Sequence, residues 1–241
     1  MGHVSMEQSA VPGTLYIVST PIGNLDDITY RAVKILSTVD LIAAEDTRTT
    51  KVLLDRYQIS KPMLSYFSHN QKFRTPQLIE HLKSGQSIAL VSDAGTPGIS
   101  DPAYQIVKEA IVNGVPIVPI PGASALLAAL VVSGLPTHDF VFEGFLPLKK
   151  GRKTKFEVLK HEPRTLVFYE SPHRILKTLN ELLVYFGDRQ IVVARELTKK
   201  FEEITRGLLS EVIEKLTSVS PRGEYVIVIA GSDGDEKTEE E

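Results

Sequence analysis

An α/β fold in two lobes is what this chain of 241 residues predicts, and three observations carry it. Short apolar runs recur along the sequence, and segments with a 3.6-residue apolar period lie between most of them. The runs are apolar throughout rather than alternating, as in strands covered on both faces of a sheet. A cluster of prolines and glycines divides the series near its middle.

Taken in order, the runs that read as strands fall at 15–18, 41–44, 88–91, 116–120, 140–142, 166–169, 191–194 and 225–230. Each is of strand length, and the segments 28–39, 75–83, 102–113, 172–186 and 208–218 between them have polar faces and read as helices. The seam lies near 118–137, where Pro116, Pro119, Pro121, Gly122, Gly134 and Pro136 bracket an Ala/Leu-rich helix at 123–132. The expected division is an N-terminal lobe 13–118, a C-terminal lobe 119–231 and a polar, acidic tail 232–241. Too little of that tail is apolar to support a core, so disorder is expected there.

Composition narrows the chemistry. The absence of cysteine removes disulfides, thiolate nucleophiles and Cys-ligated metals, and with no apolar run of membrane-spanning length a cytoplasmic protein is expected. A second methionine at position 6 makes the first five residues read as an expression scar. The six histidines have no zinc spacing, and neither a Gly-x-Gly-x-x-Gly fingerprint, a P-loop nor a Gly-x-Ser-x-Gly elbow occurs. Glu45, Asp46, Asp93 and Asp101 have the chemistry to gather magnesium, but no phosphate-cradling motif accompanies them, and no catalytic metal is expected.

The loops at the strand ends are informative. Runs ending in STPIGNLDD (19–27), SDAGTPGISDP (92–102), PIPGASA (119–125) and YESPHR (169–174) are strand-to-helix loops rich in Gly, Pro, Ser and Thr. In a parallel sheet such loops gather at the carboxyl edge, where backbone amides are open to a ligand. Apolar runs also end close to Glu45, Asp93, Glu170 and Glu196; these carboxylates are either acceptors for a ligand's hydroxyls and amines, or helix caps and ion-pair partners.

The net charge of −3 hides a division. Six acids and one lysine sit in the tail, whereas residues 149–164 carry seven basic side chains against two acidic ones, just after Phe140, Phe142 and Phe145. Cations beside aromatic faces suit a phosphate backbone with splayed bases, although a solvated basic helix face has the same composition.

At these same residues the chain resembles a known family. The blocks TLYIVSTPIGNL (14–25), AEDTR (44–48), SDAGTPGISDP (92–102), PGASA (121–125), FEGFLP (142–147), YESPHR (169–174), RELTK (195–199) and GEYV (223–226) are similar, in order, to those of the ribosomal RNA small subunit methyltransferase I family of the tetrapyrrole methylase superfamily. Two departures stand out: Ala103 where a glycine is expected, and SYFSHN (65–70), a looser version of its block.

The resemblance implies two α/β lobes of the tetrapyrrole methylase type with the active cleft between them, a homodimer, and S-adenosylmethionine as cofactor. It also implies 2′-O-methylation of a cytidine ribose in the decoding region of small-subunit (16S) rRNA, on assembled subunits. Carried over by position, Pro21, Gly23, Asp93, Gly95, Thr96, Pro97, Ile99, Ser124, Ala125, Tyr169, Ala194, Gly223 and Glu224 fall in segments that surround the methyl donor. A ribose hydroxyl is a weak nucleophile and calls for a base. Glu170 and His173 are ranked first, then Glu45 and Asp46, with helix capping an alternative role for His173. Arg48, Lys149, Lys150, Arg152, Lys153, Arg174 and Lys199 are the candidates for holding RNA. A tetrapyrrole C-methyltransferase and a non-catalytic ribosome-associated RNA-binding protein are the alternatives.

Overall fold

The computed structural model describes residues 9–218 and 220–232, so nearly all of the expected tail lies outside the described residues. The chain divides into two compact units, Met1–Ser124 and Ala125–Glu241. The boundary expected at 118/119 falls inside the last strand of the first unit.

In the first unit β1 (Leu15–Val18), β2 (Leu41–Ala44), β3 (Met63–Ser65), β4 (Ile88–Val91) and β5 (Ile117–Ile120) form one sheet in the order β3-β2-β4-β1-β5. Every pairing is parallel. Helices α1 (Tyr30–Thr38), α2 (Thr47–Arg56), α3 (Gln71–Lys83) and α4 (Tyr104–Val112) connect the strands. Two clusters of buried side chains flank the sheet. One gathers Tyr16, Val18, Ile35, Leu36 and Ile42; the other gathers Leu15, Leu78, Leu82, Leu90 and Ile106. Burial on both faces is why these strands read as continuous apolar runs.

The second unit holds α5 (Ala125–Val131), β6 (Phe140–Phe145), α6 (Arg152–Leu159), β7 (Thr165–Glu170), α7 (Ile175–Phe186), β8 (Gln190–Arg195), β9 (Glu203–Leu208), α8 (Leu209–Thr217) and β10 (Tyr225–Ile229). Its sheet runs β6-β7-β10-β8-β9 and is mixed: β6 and β7 are parallel, while β10 is antiparallel to β7 and β8, and β8 to β9. The loop after β7 therefore does not share a sheet edge with the three loops of the first unit, contrary to the single edge expected for all four.

The α/β class is as expected, and two strands and two α-helices beyond those expected are present, each for a local reason. β3 and β9 are edge strands, and edges are short or carry charge: MLS is half-buried, and EITRGL holds Glu203 and Arg206. Helix α2 buries Thr50 with Leu53 and Leu54, and α6 buries Arg152 with Phe156 and Leu159. A polar residue on the buried face breaks the apolar period in both helices.

Candidate active site

In the first unit the strand ends are tied to one another beyond the last rung of the sheet. The Thr20 amide donates to the Gly95 carbonyl at 2.8 Å and the Gly95 amide returns the bond to Thr20 at 3.0 Å. The Thr20 hydroxyl donates to the Ser92 carbonyl at 3.1 Å, and the Ser19 and Thr96 hydroxyls meet at 2.8 Å. The Ser19 amide reaches the Ile120 carbonyl at 3.1 Å, bringing in the third loop. Gly95 has φ +82°, a conformation that a side chain strains, which explains a glycine at that crossing. The result is a rigid platform: Pro21, Ile22 and Pro97 are buried, while Gly23, Asp93, Gly98 and Ile99 face solvent, with Ser124 half-buried at the end of the third loop. Ala103 sits at φ −142°, so this departure from glycine creates no backbone conflict.

Beside that platform four carboxylates share one edge. The Asp93 amide donates to Glu45 at 3.3 Å, and the Asp46 amide donates to Asp93 at 3.0 Å. Asp46 caps α2 through the Arg48 amide at 2.8 Å and is gripped by the Arg48 guanidinium at 2.6 Å. That hydrogen bonding from Arg48 pulls Asp46 down to about 2. The other three move the opposite way. Burial raises Glu45 and Asp93, and burial with the neighbouring Glu45 charge pushes Asp101 up to about 6, against an opposing hydrogen bond from Ser92. Asp46 is therefore spent on α2 and Arg48, whereas Glu45 and Asp101, both raised by burial, hold a proton more readily than an ordinary carboxylate. The Asp101 signal was not legible in the sequence because the burial that produces it comes from the turn of the loop.

In the second unit the strand-end carboxylate expected as first-choice base is a buried anchor. Glu170 is 2% exposed, accepts from the Ser171 amide at 2.8 Å and the Thr178 hydroxyl at 2.6 Å, and pairs with Arg174 at 3.3 Å. Arg152 donates to the same Thr178 hydroxyl at 2.7 Å, pairs with Glu181 at 2.6 Å and lies 5.1 Å from the Phe156 ring centroid. Both arginines then hold the loop after β6, Arg174 through the Leu146 carbonyl at 2.7 Å and Arg152 through the Pro147 carbonyl at 3.1 Å. Arg152, expected to face RNA, is thus turned inward at 5% exposure, because a guanidinium can satisfy a carboxylate, a hydroxyl and a carbonyl together. Thr178 and Glu181, which complete the network, had no signal in the sequence beyond the helical spacing of α7.

The basic segment is reduced accordingly. Lys155 pairs with Glu143, Lys160 with Glu157 and Arg164 with Glu162. Lys149, Lys150 and Lys153 are exposed and outside these ion pairs. His173 is exposed, and no side chain caps α7. Tyr169 accepts the Leu126 amide of α5 at 3.1 Å and packs edge-on against Phe142 and Phe145. Ala125 begins α5, and Ala194 is buried in β8 opposite Val226. Lys199 bridges Glu196 at 2.9 Å and Glu224 at 2.8 Å, and the Glu224 amide donates to Glu196 at 3.0 Å. Gly223, at φ +79°, lies so close that an added Cβ would come 2.3 Å from the Glu196 carboxyl carbon, so the Glu196–Lys199 pair requires glycine there.

Among the described residues no group of three or more His, Asp or Glu could hold a metal ion, and no helix is long and apolar enough to cross a membrane. A surface groove of about 370 Å³ runs between α3 and α4, lined by none of the expected site residues.

This fold with this platform defines a methylase: the family model for Tetrapyrrole (Corrin/Porphyrin) Methylases matches residues 14–213. A crystal structure of uroporphyrin-III C-methyl transferase from Thermus thermophilus complexed with S-adenyl homocysteine superposes with a TM-score of 0.64, covering 90% of this chain and 97% of that one at 21% identity, a likeness of fold. Much greater sequence similarity is found elsewhere. Ribosomal RNA small subunit methyltransferase I of Synechocystis sp. is 53% identical over 222 residues, 91% of this chain and 80% of that protein. Its namesake from Thermotoga maritima is 49% identical over 221 residues, 92% of this chain and all (100%) of that protein. The chain belongs to the ribosomal RNA small subunit methyltransferase I family within the tetrapyrrole methylases, and it is a methyltransferase.

Two stability measurements check these assignments. Arg152→Met should destabilise the fold by about 3 kcal/mol in urea denaturation, because it leaves Glu181 and Thr178 without their buried partner, whereas Lys149→Gln should stay within about 0.5 kcal/mol of the parent. Equal effects would place Arg152 at the surface. For Asp101 the folded pKa lies above the ordinary value, so the folded chain binds the extra proton and stability declines as pH rises from about 4 to about 6. Asp101→Asn should therefore raise the melting temperature at pH 7.5, by an amount equivalent to about 1 kcal/mol after solvent screening. The gain should vanish near pH 4; a gain independent of pH would show that ionisation is not its cause.

Proposed function

We propose that the chain transfers the methyl group of S-adenosylmethionine to the 2′-hydroxyl of a cytidine ribose in the decoding region of small-subunit rRNA, acting as a homodimer in the cytoplasm. The observation that carries this reading is identity of about half the residues, along almost the whole chain, to proteins named for methylation of small-subunit rRNA. The likeness to the tetrapyrrole enzyme stays at 21% and is one of fold, which weighs against a tetrapyrrole substrate.

The residues present suit the donor. S-adenosylmethionine offers ribose hydroxyls, an ammonium and a carboxylate. The platform offers the exposed Asp93 carboxylate, the open backbone of the 21–24 and 93–99 loops, and exposed glycines at 23 and 98 that allow close approach. When bound, the donor supplies an activated methyl carbon and a neutral thioether leaving group.

With the donor in place, the ribose oxygen would take the methyl carbon as the C–S bond broke with its electron pair left on sulfur, and the hydroxyl proton would pass to a base held by this chain. The protein's share is alignment, worth up to about 7–11 kcal/mol, and removal of that proton. Glu45 takes the role of base in this reading, since burial raises it while Asp46 is committed to Arg48 and Glu170 to Thr178 and Arg174. Lys149, Lys150 and Lys153 supply the cations for the RNA backbone.

Glu45→Gln should lower transfer of tritiated methyl to purified small ribosomal subunits by about 100-fold or more, with S-adenosylmethionine affinity in calorimetry little changed. Undiminished transfer removes Glu45 as base, and a parent protein that binds no donor sinks the enzyme reading in favour of a non-catalytic ribosome-binding protein. Replacing Lys149, Lys150 and Lys153 together by Gln should weaken subunit binding and reduce the slope of log affinity against log salt by up to about 3. An unchanged slope assigns those lysines to ordinary surface.

A further inference from the structure

A second basic and aromatic surface lies in the first unit, on the loop from β3 into α3. From residue 57 to 79 the chain has no carboxylate, and its charged side chains are Lys61, Lys72 and Arg74. Within that stretch the side chains part in two directions. Tyr66 is 1% exposed and is locked by its amide to the Ala44 carbonyl at 2.7 Å and by its hydroxyl to Thr75 at 3.0 Å. Phe67 is 37% and Phe73 77% exposed, and His69 also faces solvent. The Phe67 and His69 rings stand 6.2 Å apart at 71°, forming a corner with one face and one edge.

This exposure is held in place. Asn70 accepts the Phe67 amide at 2.9 Å and donates to the Ser65 carbonyl at 3.0 Å, closing the loop on itself. The Phe73 amide donates to the Asn70 carbonyl at 2.9 Å, which sets Phe73 in the first turn of α3. A helical side chain leans toward the turn that precedes it, which directs the exposed Phe73 ring back toward the loop end of α3. Ser65 pairs with Ala44 in a parallel register, so the loop leaves the sheet at the same edge as Glu45, Asp46 and the 89% exposed Arg48 side chain.

We propose that Phe67, His69 and Phe73 form a base-stacking shelf for unpaired nucleotides of the RNA substrate, with Lys72 and Arg74 on its phosphates. The inference rests on the rRNA reading of the site and extends the RNA contact beyond the Lys149–Lys153 region. An acid-free segment suits a polyanion, and preset rings accept any base face without ordering side chains at the moment of binding.

Two assays test it, with Phe67→Leu/Phe73→Leu as the disrupting variant and Phe67→Tyr/Phe73→Tyr as the conservative one. Binding of a fluorescein-labelled, twelve-nucleotide single-stranded RNA, without donor, should weaken about tenfold or more in the leucine variant and stay near the parent value in the tyrosine variant. Turnover on small subunits should show a raised KM and an unchanged kcat in the leucine variant. Native melting temperatures with equal RNA affinity in all three proteins would overturn the shelf. Parent protein that binds the RNA yet methylates no subunit would overturn the rRNA reading instead, and the binding comparison would still decide the shelf.

Discussion

Parallel strands that stop at one edge leave backbone amides and carbonyls with no further rung to pair with, and the rest of the site depends on how these are satisfied. The reciprocal Thr20–Gly95 bonds solve the problem between β1 and β4, and the Ser19 amide solves it toward β5. Glu45 and Asp93 solve it between β4 and β2 by accepting each next amide in turn. Pinning the loops in this way fixes which surfaces are turned outward. Gly23, Asp93 and Gly98 are open, while Pro21, Ile22 and Pro97 in the same loops are buried. Burial at this strand end raises Glu45, Asp93 and Asp101, with the neighbouring carboxylate charges adding to it, while the amides that Glu45 and Asp93 accept pull the other way. The second unit meets its own strand end with Glu170, which takes the Ser171 amide and the Thr178 hydroxyl and pairs with Arg174, while Arg152 donates to the same hydroxyl.

The structure therefore separates two uses of polar side chains that look alike in a sequence. The alternation of buried strands and helices was legible because burial on both faces leaves a continuous apolar run, as at 88–91 and 225–229. The strand-end loops were legible because Gly and Pro mark them. The roles of their carboxylates were not. Asp46, Asp93 and Glu170 all lie at the ends of apolar runs, yet one caps a helix, one accepts an amide while facing solvent, and one is buried against Thr178 and Arg174. That choice is made by side chains distant in sequence, such as Thr178 eight residues beyond Glu170, and by the depth of the loop. Arg152 shows the same limit: a basic cluster gives no sign of which member turns inward until Glu181 and Phe156 are placed beside it.

Charge is distributed to similar effect. A chain of net charge −3 is no polyanion binder by its sum. Its cations are nevertheless sorted by structure into those held in ion pairs, such as Lys155, Lys160 and Arg164, and those exposed at the surface outside those pairs, such as Lys149, Lys150 and Lys72. Exposed Phe145 on the one unit and exposed Phe67 and Phe73 on the other add the flat apolar faces that unpaired bases stack on. Exposed rings of this kind, on either unit, differ from the closed apolar pocket that a small-molecule substrate favours.

The most direct test of rRNA ribose methylation by this chain is mass-spectrometric mapping of small-subunit rRNA lacking the modification, before and after incubation with the purified protein and S-adenosylmethionine. The predicted result is a gain of one methyl group on a cytidine ribose in the decoding region and nowhere else. Methylation confined to a base, or an rRNA left unmodified by a protein that binds the donor, would contradict it.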